Sequence, residues 1–432
     1  MATGDRRRRK NNIGGGGGGV DSISSLPDEL LQQILCFLPT KFAIRTSLLS
    51  KRWRRIWCDT PCISFESCAL LAASRSMIQD RYTAPKMMSL HLRTGMVCNV
   101  KHINSWIELA KSRKVENIYL QLYFKSGYKY IPPDSFYIDS SLKELSLSFT
   151  AMIPRGSVSW TSLKKLTLSH CRLSDESLAT ILSGCPVLQS LTLSFCYELT
   201  VFDLSNSPSL KTLEVDPHYR PTPMQIVAPH IHCLKLTNSQ LPCTLVDVSS
   251  LAEANLVFRN SSLDETIADF VRKMQEMLEK LHNVDKLTIG ENFLQILSRL
   301  KLRGVPFPVF NVKALTLETF LFEYVIPPGI ERLLQNSPYL KRLTVHARTC
   351  KTEPQGFRWS KSLRDEESKR VATFMELMFK SIKTLEKMVV RLSDCHLEAR
   401  GFKEMDQTLP HDNNNNNVSI VFADTRYISG DS

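Results

Sequence analysis

Leu26-Pro27-Asp28-Glu29-Leu30-Leu31-Gln32-Gln33-Ile34-Leu35-Cys36-Phe37-Leu38-Pro39 reads as one amphipathic helix with both ends written into it. Pro27 is tolerated in a helix's first turn, where a backbone N–H has no intrahelical partner, and Asp28 and Glu29 favour the positive end of the helix dipole. Leu30, Leu31, Ile34, Leu35 and Leu38 fall on a 3.6-residue period as a single apolar stripe, and Pro39 stops the helix. Such a stripe has to be buried against something.

Beyond Thr40, the run from Lys41 to Trp57 places Leu49, Trp53, Ile56 and Trp57 at helical spacing and makes a second apolar face. About forty residues is close to the lower limit at which a domain stabilises itself unaided. The spacing therefore predicts that these helices lean on another surface, either the downstream chain or a partner.

These residues carry a resemblance. Leu26-Pro27-Asp28-Glu29-Leu30-Leu31, then Ile34-Leu35, Leu38-Pro39, Ser47 to Arg54 and Ile56-Trp57 resemble an F-box over its whole length, in the form common among plant members. The resemblance covers about a tenth of the chain and rests on a long, ordered pattern. It implies three helices that bind a Skp-type adaptor and, through it, a cullin-based ubiquitin ligase. Carried over position by position, it implies adaptor contacts at Leu26, Pro27, Leu30, Leu31, Ile34, Leu35, Leu48, Leu49, Ser50, Trp53 and Trp57. Some of these must be internal core. For any one leucine, interface and internal packing both stay open, whereas Leu26 and Pro27 at the exposed start favour the interface. Trp53 and Leu31 are candidate anchors. Phe42 sits where many plant members carry an acidic residue.

From about residue 85 one pattern, apolar-x-x-apolar-x-apolar, recurs twelve times, from Met87/Leu90/Leu92 to Leu385/Met388/Val390. Spacings of mostly 20 to 33 residues, with a last interval of 45, resemble leucine-rich repeats of uneven length. The fold class expected is thus α/β: an N-terminal three-helix F-box followed by a leucine-rich-repeat solenoid, a curved parallel sheet with helices on its convex side. The expected division is a basic, Gly-rich arm over 1–20, the F-box over 21–62, a connecting segment over 63–84, about twelve repeat units over 85–395 and an Asn-rich tail over 396–432. In each L-x-L the leucines point inward and the residue between them outward. Ser146, Thr167, Thr192 and Glu214 are accordingly the expected client-binding stripe on the concave face. Cys171 and Cys196 keep step with the repeat, as in the cysteine-containing subtype that often follows an F-box. With Cys185, they read as packing residues.

The remaining features bound the function. No stretch approaches the ~20 apolar residues of a membrane span, and the N-terminus shows a basic run and glycines in place of an apolar signal core. Twelve cysteines without a CxxC pair suit a reducing compartment, so nucleus or cytoplasm is expected. The net charge of +12 owes five positives to Arg6–Lys10, which reads as solvated disorder or a nuclear-import signal on a glycine linker, Gly14 to Gly19. Ser261 to Leu281 reads as an outer helix, Lys351 to Arg370 as a charged insertion before a helix over Val371 to Lys383, and Val418 to Phe422 as a short strand. Hydrolase, zinc-protease and nucleotide-binding motifs are absent from the sequence. Neither Cys58, Cys62 and Cys68 nor His230, His232 and Cys233 has the spacing of a metal site. No catalytic residue, metal or cofactor is expected.

The reading is a non-enzymatic substrate receptor that holds an unknown protein client near a ubiquitin-charged enzyme. Its alternative is a protein- or nucleic-acid-binding scaffold built on the repeats and the basic arm. The strands lack the interleaved cations and aromatics of a stacking groove, so nucleic acid is not an expected partner. A small-molecule co-receptor of the plant hormone type would want a longer, more regular array and a basic pocket.

Overall fold

A computed structural model of the chain describes residues 23, 25–66, 81–94, 99–124, 129–217, 224–239, 243–258, 267–321, 328–349, 384–393 and 419–424. The basic arm, the Lys351–Arg370 insertion, the helix expected after it and the asparagine run lie outside the described residues.

The first helix, α1 (Asp28–Cys36), begins on Pro27 with Asp28 and Glu29 in its first turn. Two short helices follow, α2 (Thr40–Arg45) and α3 (Trp53–Ile56), with single 3-10 turns at Thr46–Leu48 and Trp57–Asp59. Of the second apolar face, Trp53 and Ile56 thus lie on α3, while Leu49 and Trp57 lie at the 3-10 turns on either side of it. Arg52 ties the ends of the unit together, donating to the Asp28 carboxylate at 2.7 Å and to the Leu26 carbonyl.

The chain then builds one parallel sheet of fourteen strands in the order β1 to β6, β8, β10 and β12 to β17. These are β1 (Cys62–Phe65), β2 (Ser89–Thr94), β3 (Asn117–Leu122), β4 (Glu144–Ser148), β5 (Lys165–Ser169), β6 (Ser190–Ser194), β8 (Thr212–Asp216), β10 (Cys233–Ser239), β12 (Glu253–Phe258), β13 (Lys286–Ile289), β14 (Ala314–Leu321), β15 (Arg342–Thr349), β16 (Lys387–Ser393) and β17 (Ser419–Asp424). The last two residues of all twelve sequence triplets lie on strands of this sheet and the first just before them, and their middle positions are direct partners, from Leu90↔Ile118 to Leu343↔Met388. A leucine ladder follows from the pleat, because period-two alternation sends every L-x-L pair to one face.

The sheet runs past the expected limits at both ends. β1 begins at the last residue of the expected F-box span and continues into the segment read as a connector, and its Ile63 and Phe65 join the leucine core. β17, read as part of the tail, pairs with β16 through Met388↔Ile420.

Unit length bears on what closes each crossover. Five of the units of 25 to 33 residues carry helices, α4 (Val100–Ser112), α5 (Asp175–Ser183), α6 (Ile267–Lys280), α7 (Glu291–Leu302) and α8 (Pro328–Gln335), while the 27-residue unit between β3 and β4 carries only a 3-10 turn, Asp134–Tyr137. The three consecutive units of 22, 21 and 20 residues instead carry short strands, β7 (Val201–Asp203), β9 (Gln225–Val227) and β11 (Thr244–Asp247), joined as a separate three-stranded sheet. Extended chain rises about twice as far per residue as helix, so a 20-residue unit can complete its return only in extended form. One apolar core runs through the described residues from Leu31 to Val390, with Trp106, Trp160, Tyr130 and Tyr137 as its bulkiest members.

Candidate functional site

Two surfaces stand out, one on the helical module and one on the sheet. Within the module, Leu31 and Leu35 of α1 close on Ala43, Trp53, Ile56 and Trp57, and this core continues into Ile63 and Phe65 of β1. The apolar stripe of α1 therefore faces two ways. Leu31 and Leu35 point inward, while Leu30, Ile34, Phe37 and Leu38 are exposed. Phe42 of α2 and Leu48 and Leu49 after it are exposed as well, the last two at 88% and 69%.

The expected adaptor residues divide accordingly. Pro27, Leu30, Ile34, Leu48, Leu49 and Ser50 are on the surface, and Leu26 is half-buried against the core. Leu31, Leu35, Trp53 and Trp57 are 0 to 6% exposed. Those four, with the candidate anchors Trp53 and Leu31 among them, pack inside the module's own core, the internal share expected of the set. Exposed Phe37 and Phe42 join the surface set in their place. Lys41, Arg45, Lys51, Arg54 and Arg55 are exposed around them, with the Arg45 guanidinium 5.6 Å from the centre of the Phe42 ring.

On the sheet, Ser146, Thr167, Thr192 and Glu214 are successive Cα partners, half-buried on the face opposite the leucines. The register brings all four into one row, which continues to Tyr119 and His91 on one side and Lys235 on the other. His91 and Tyr119 stack at 4.3 Å. Burial holds the His91 imidazole below its usual value. Burial and the hydrogen bond to Glu144, 2.8 Å, push the Tyr119 phenol up to about 12, so it stays a donor. A depression of about 370 Å³ opens here between Ser64, Glu66, His91, Arg93, Gln121 and Ser148.

One feature of this face was missed in the sequence. Phe149, His170 and Phe195, each the residue after a strand, have φ of 61°, 54° and 57°. Their rings stack at 4.6 and 4.1 Å, and Tyr123 adds a fourth ring 4.4 Å from Phe149. Their N–H groups donate to Ser169, Ser194 and Asp216, extending the inter-strand ladder by one rung. The signal was present as Ser-Phe, Ser-His and Ser-Phe directly after L-x-L.

The repeat cysteines have packing roles. Cys171 and Cys185 are buried, Cys171 lies 3.1 Å from the Thr150 hydroxyl, and burial raises both thiols, that of Cys185 to about 12. Among the described residues, no three His, Cys, Asp or Glu side chains gather where they could hold a metal. No helix among those residues is long and apolar enough to cross a membrane.

A helical module with an uncovered apolar surface, continuous with a repeat solenoid, defines a protein of the substrate-receptor type. Comparison with known proteins is consistent with this class. The F-box domain family matches residues 23–64, and the family described as At1g61320/AtMIF1, LRR domain, matches residues 81–302. The chain is 52% identical over 429 residues to the putative F-box/LRR-repeat protein At3g18150 of Arabidopsis thaliana, covering 93% of this chain and 92% of that one. It is 47% identical over 444 residues to F-box/LRR-repeat protein At3g03360 of the same plant, covering 94% and 91%, and 44% identical over 450 residues to F-box/LRR-repeat protein At5g02910, covering 95% and 97%. The chain belongs to the F-box/LRR-repeat family.

Proposed function

We propose that this chain is the substrate-recognition subunit of a cullin-based ubiquitin ligase. Its F-box holds a Skp-type adaptor, and the outward face of its repeat sheet holds a protein client. The observation that carries the reading is the uncovered apolar set Leu30, Ile34, Phe37, Phe42, Leu48 and Leu49 on a module whose internal core is already complete. A partner that covers these side chains gains the transfer free energy of the apolar surface they still expose, which is largest at Phe37, Leu48 and Leu49. The chain acts without a nucleophile of its own, because holding a client beside an activated thioester raises its effective concentration. Its place of work is the nucleus or the cytoplasm.

The test is a pull-down of purified Skp-type adaptor by the full chain, wild type against Leu48→Asp with Leu49→Asp. Wild-type binding lost in a folded double variant supports the reading. A wild type that captures no adaptor refutes it and leaves the repeats as a free-standing scaffold.

A further inference from the structure

From the depression bordered by Ser146 and Ser148 a strip of the outward face runs on to β6. It carries six small hydroxyl side chains that the register sets in two rows, Ser146, Thr167 and Thr192 beside Ser148, Ser169 and Ser194. One residue further along each strand stands the aromatic wall of Phe149, His170 and Phe195. Holding three bulky residues in succession in the left-handed region is unfavourable, and a merely structural turn at that point is better served by glycine or asparagine. The rings stack on one another, so they offer their edges, which carry the positive rim of the aromatic quadrupole and suit the face of another ring. At the β2 end of the strip, where it borders the depression, Arg93 lies in the row of Gln121, Ser148 and Ser169. Arg93 is exposed and pairs with no carboxylate among the described residues. Glu66 borders the same depression one strand further out, so an incoming carboxylate is steered to the β3 side of Arg93.

We propose that this strip of the outward face takes an extended client segment carrying a carboxylate and an aromatic side chain about four residues apart. The carboxylate pairs with Arg93, and the aromatic ring packs its face on the edges of His170 and Phe195. The spacing follows from the sheet: β2 and β5 are three strand separations apart, about 14 Å, and an extended chain spans that in about four residues. The hydroxyl floor both donates and accepts, which matches the alternating amides of such a segment. The inference rests on the reading of the repeats as the client-binding part.

The experiment selects random dodecapeptides displayed on phage against the full chain, in wild-type form and as Ser148→Lys and Arg93→Glu. Both sites are on the outward face, and thermal melts confirm folding, with Thr192→Lys as a second floor variant. The expected result is enrichment of peptides with an Asp or Glu four residues from an aromatic. That motif disappears with Ser148→Lys or Thr192→Lys, and its acid is replaced by Lys or Arg with Arg93→Glu. Enrichment of the same peptides by every variant, or no enrichment by wild type, overturns the proposal. Proximity labelling in cells separates this from the broader reading, using the same variants and Thr288→Lys with Thr316→Lys. Labelling lost only in the Thr288/Thr316 variant places clients elsewhere on the face and overturns this inference alone. An unchanged labelled set in every variant overturns client binding by the face as well.

Discussion

Truncating Leu48 and Leu49 to alanine should cripple adaptor binding while leaving the fold intact, and truncating Trp53 should do the reverse. Fully burying a leucine is worth about 1.5–3 kcal/mol over leaving it in water. Leu48 and Leu49 are 88% and 69% exposed, so covering both contributes about 3 kcal/mol, or roughly a hundredfold in Kd. Trp53 is 6% exposed and packs with Leu31, Leu35 and Ile56, so its truncation leaves a cavity that costs about 3–5 kcal/mol of stability and gives an adaptor nothing to miss directly. The assay is titration calorimetry of each variant with a purified Skp-type adaptor, paired with thermal denaturation. The expected outcome is a hundredfold weaker Kd at unchanged Tm for Leu48→Ala with Leu49→Ala, and a Tm lowered by several degrees for Trp53→Ala. A leucine double variant that binds within threefold of wild type, beside a Trp53→Ala chain that melts normally and fails to bind, would sink the division between core and interface.

Gly184→Ala should lower the Tm, because a Cβ there would stand 2.3 Å from the Val158 carbonyl oxygen; overpacking of this kind costs about 1–3 kcal/mol, and a melt unchanged from wild type would contradict it. Among the described cysteines, Cys62 should alkylate first: the hydrogen bond from Cys36 holds its thiol below the usual thiol range, so its reaction with iodoacetamide, read by peptide mass spectrometry, should set in at lower pH than that of the buried cysteines. Cys243 and Cys185, raised by burial to about 12, should stay unmodified in the folded chain at pH 8, and equal labelling of all three would refute the assignment. Deleting residues 1–60 should lower the melting temperature of the remaining repeats, since Trp57 shares a core with Ile63 and Phe65 of the first strand and the Thr40 hydroxyl accepts the Ser64 N–H, and a truncated array as stable as the full chain would show the module to be a separate body.

The repeat array was legible because its signal is redundant. Twelve copies of one triplet define the strands, the register and the inward ladder together, and a one-residue slip would turn every leucine to solvent. The outward row of Ser146, Thr167, Thr192 and Glu214 came with it. Strand β1 was not legible, because Cys62-Ile63-Ser64-Phe65 is a single short alternation beside a stronger helical motif. The three-stranded return sheet was hidden for another reason: unit length limits what can fit, but the residues of Val201–Asp203 carry no pattern of their own. In the F-box the stripe was visible but its division was not. Leu30 and Leu31 are adjacent and equally apolar, and only the positions of α2 and α3 decide that one is exposed and the other buried.

The junction between the two surfaces bears directly on the proposed role. The F-box ends in β1, which is itself the first strand of the client-facing sheet, and Thr40 of α2 accepts the Ser64 N–H of that strand at 2.8 Å. Tyr82 donates to the Thr60 carbonyl at 3.0 Å, and the amides of Thr83 and Ala84 donate to Cys58, so the chain just before β2 is bound back onto the last turn of the module. Apolar packing runs through the same place, from Trp57 to Ile63 and Phe65 and on to Trp106, whose ring lies 4.8 Å from that of Phe65. A flexible tether would let a client wander and dilute it around the ligase, because effective concentration falls as the accessible volume grows. A junction made of a shared strand, a shared core and several hydrogen bonds instead gives the module's exposed apolar surface and the outward face a fixed relation. Whatever docks on the repeats is then presented in one orientation set by the fold, and lysines on the client become good or poor acceptors according to where that orientation places them.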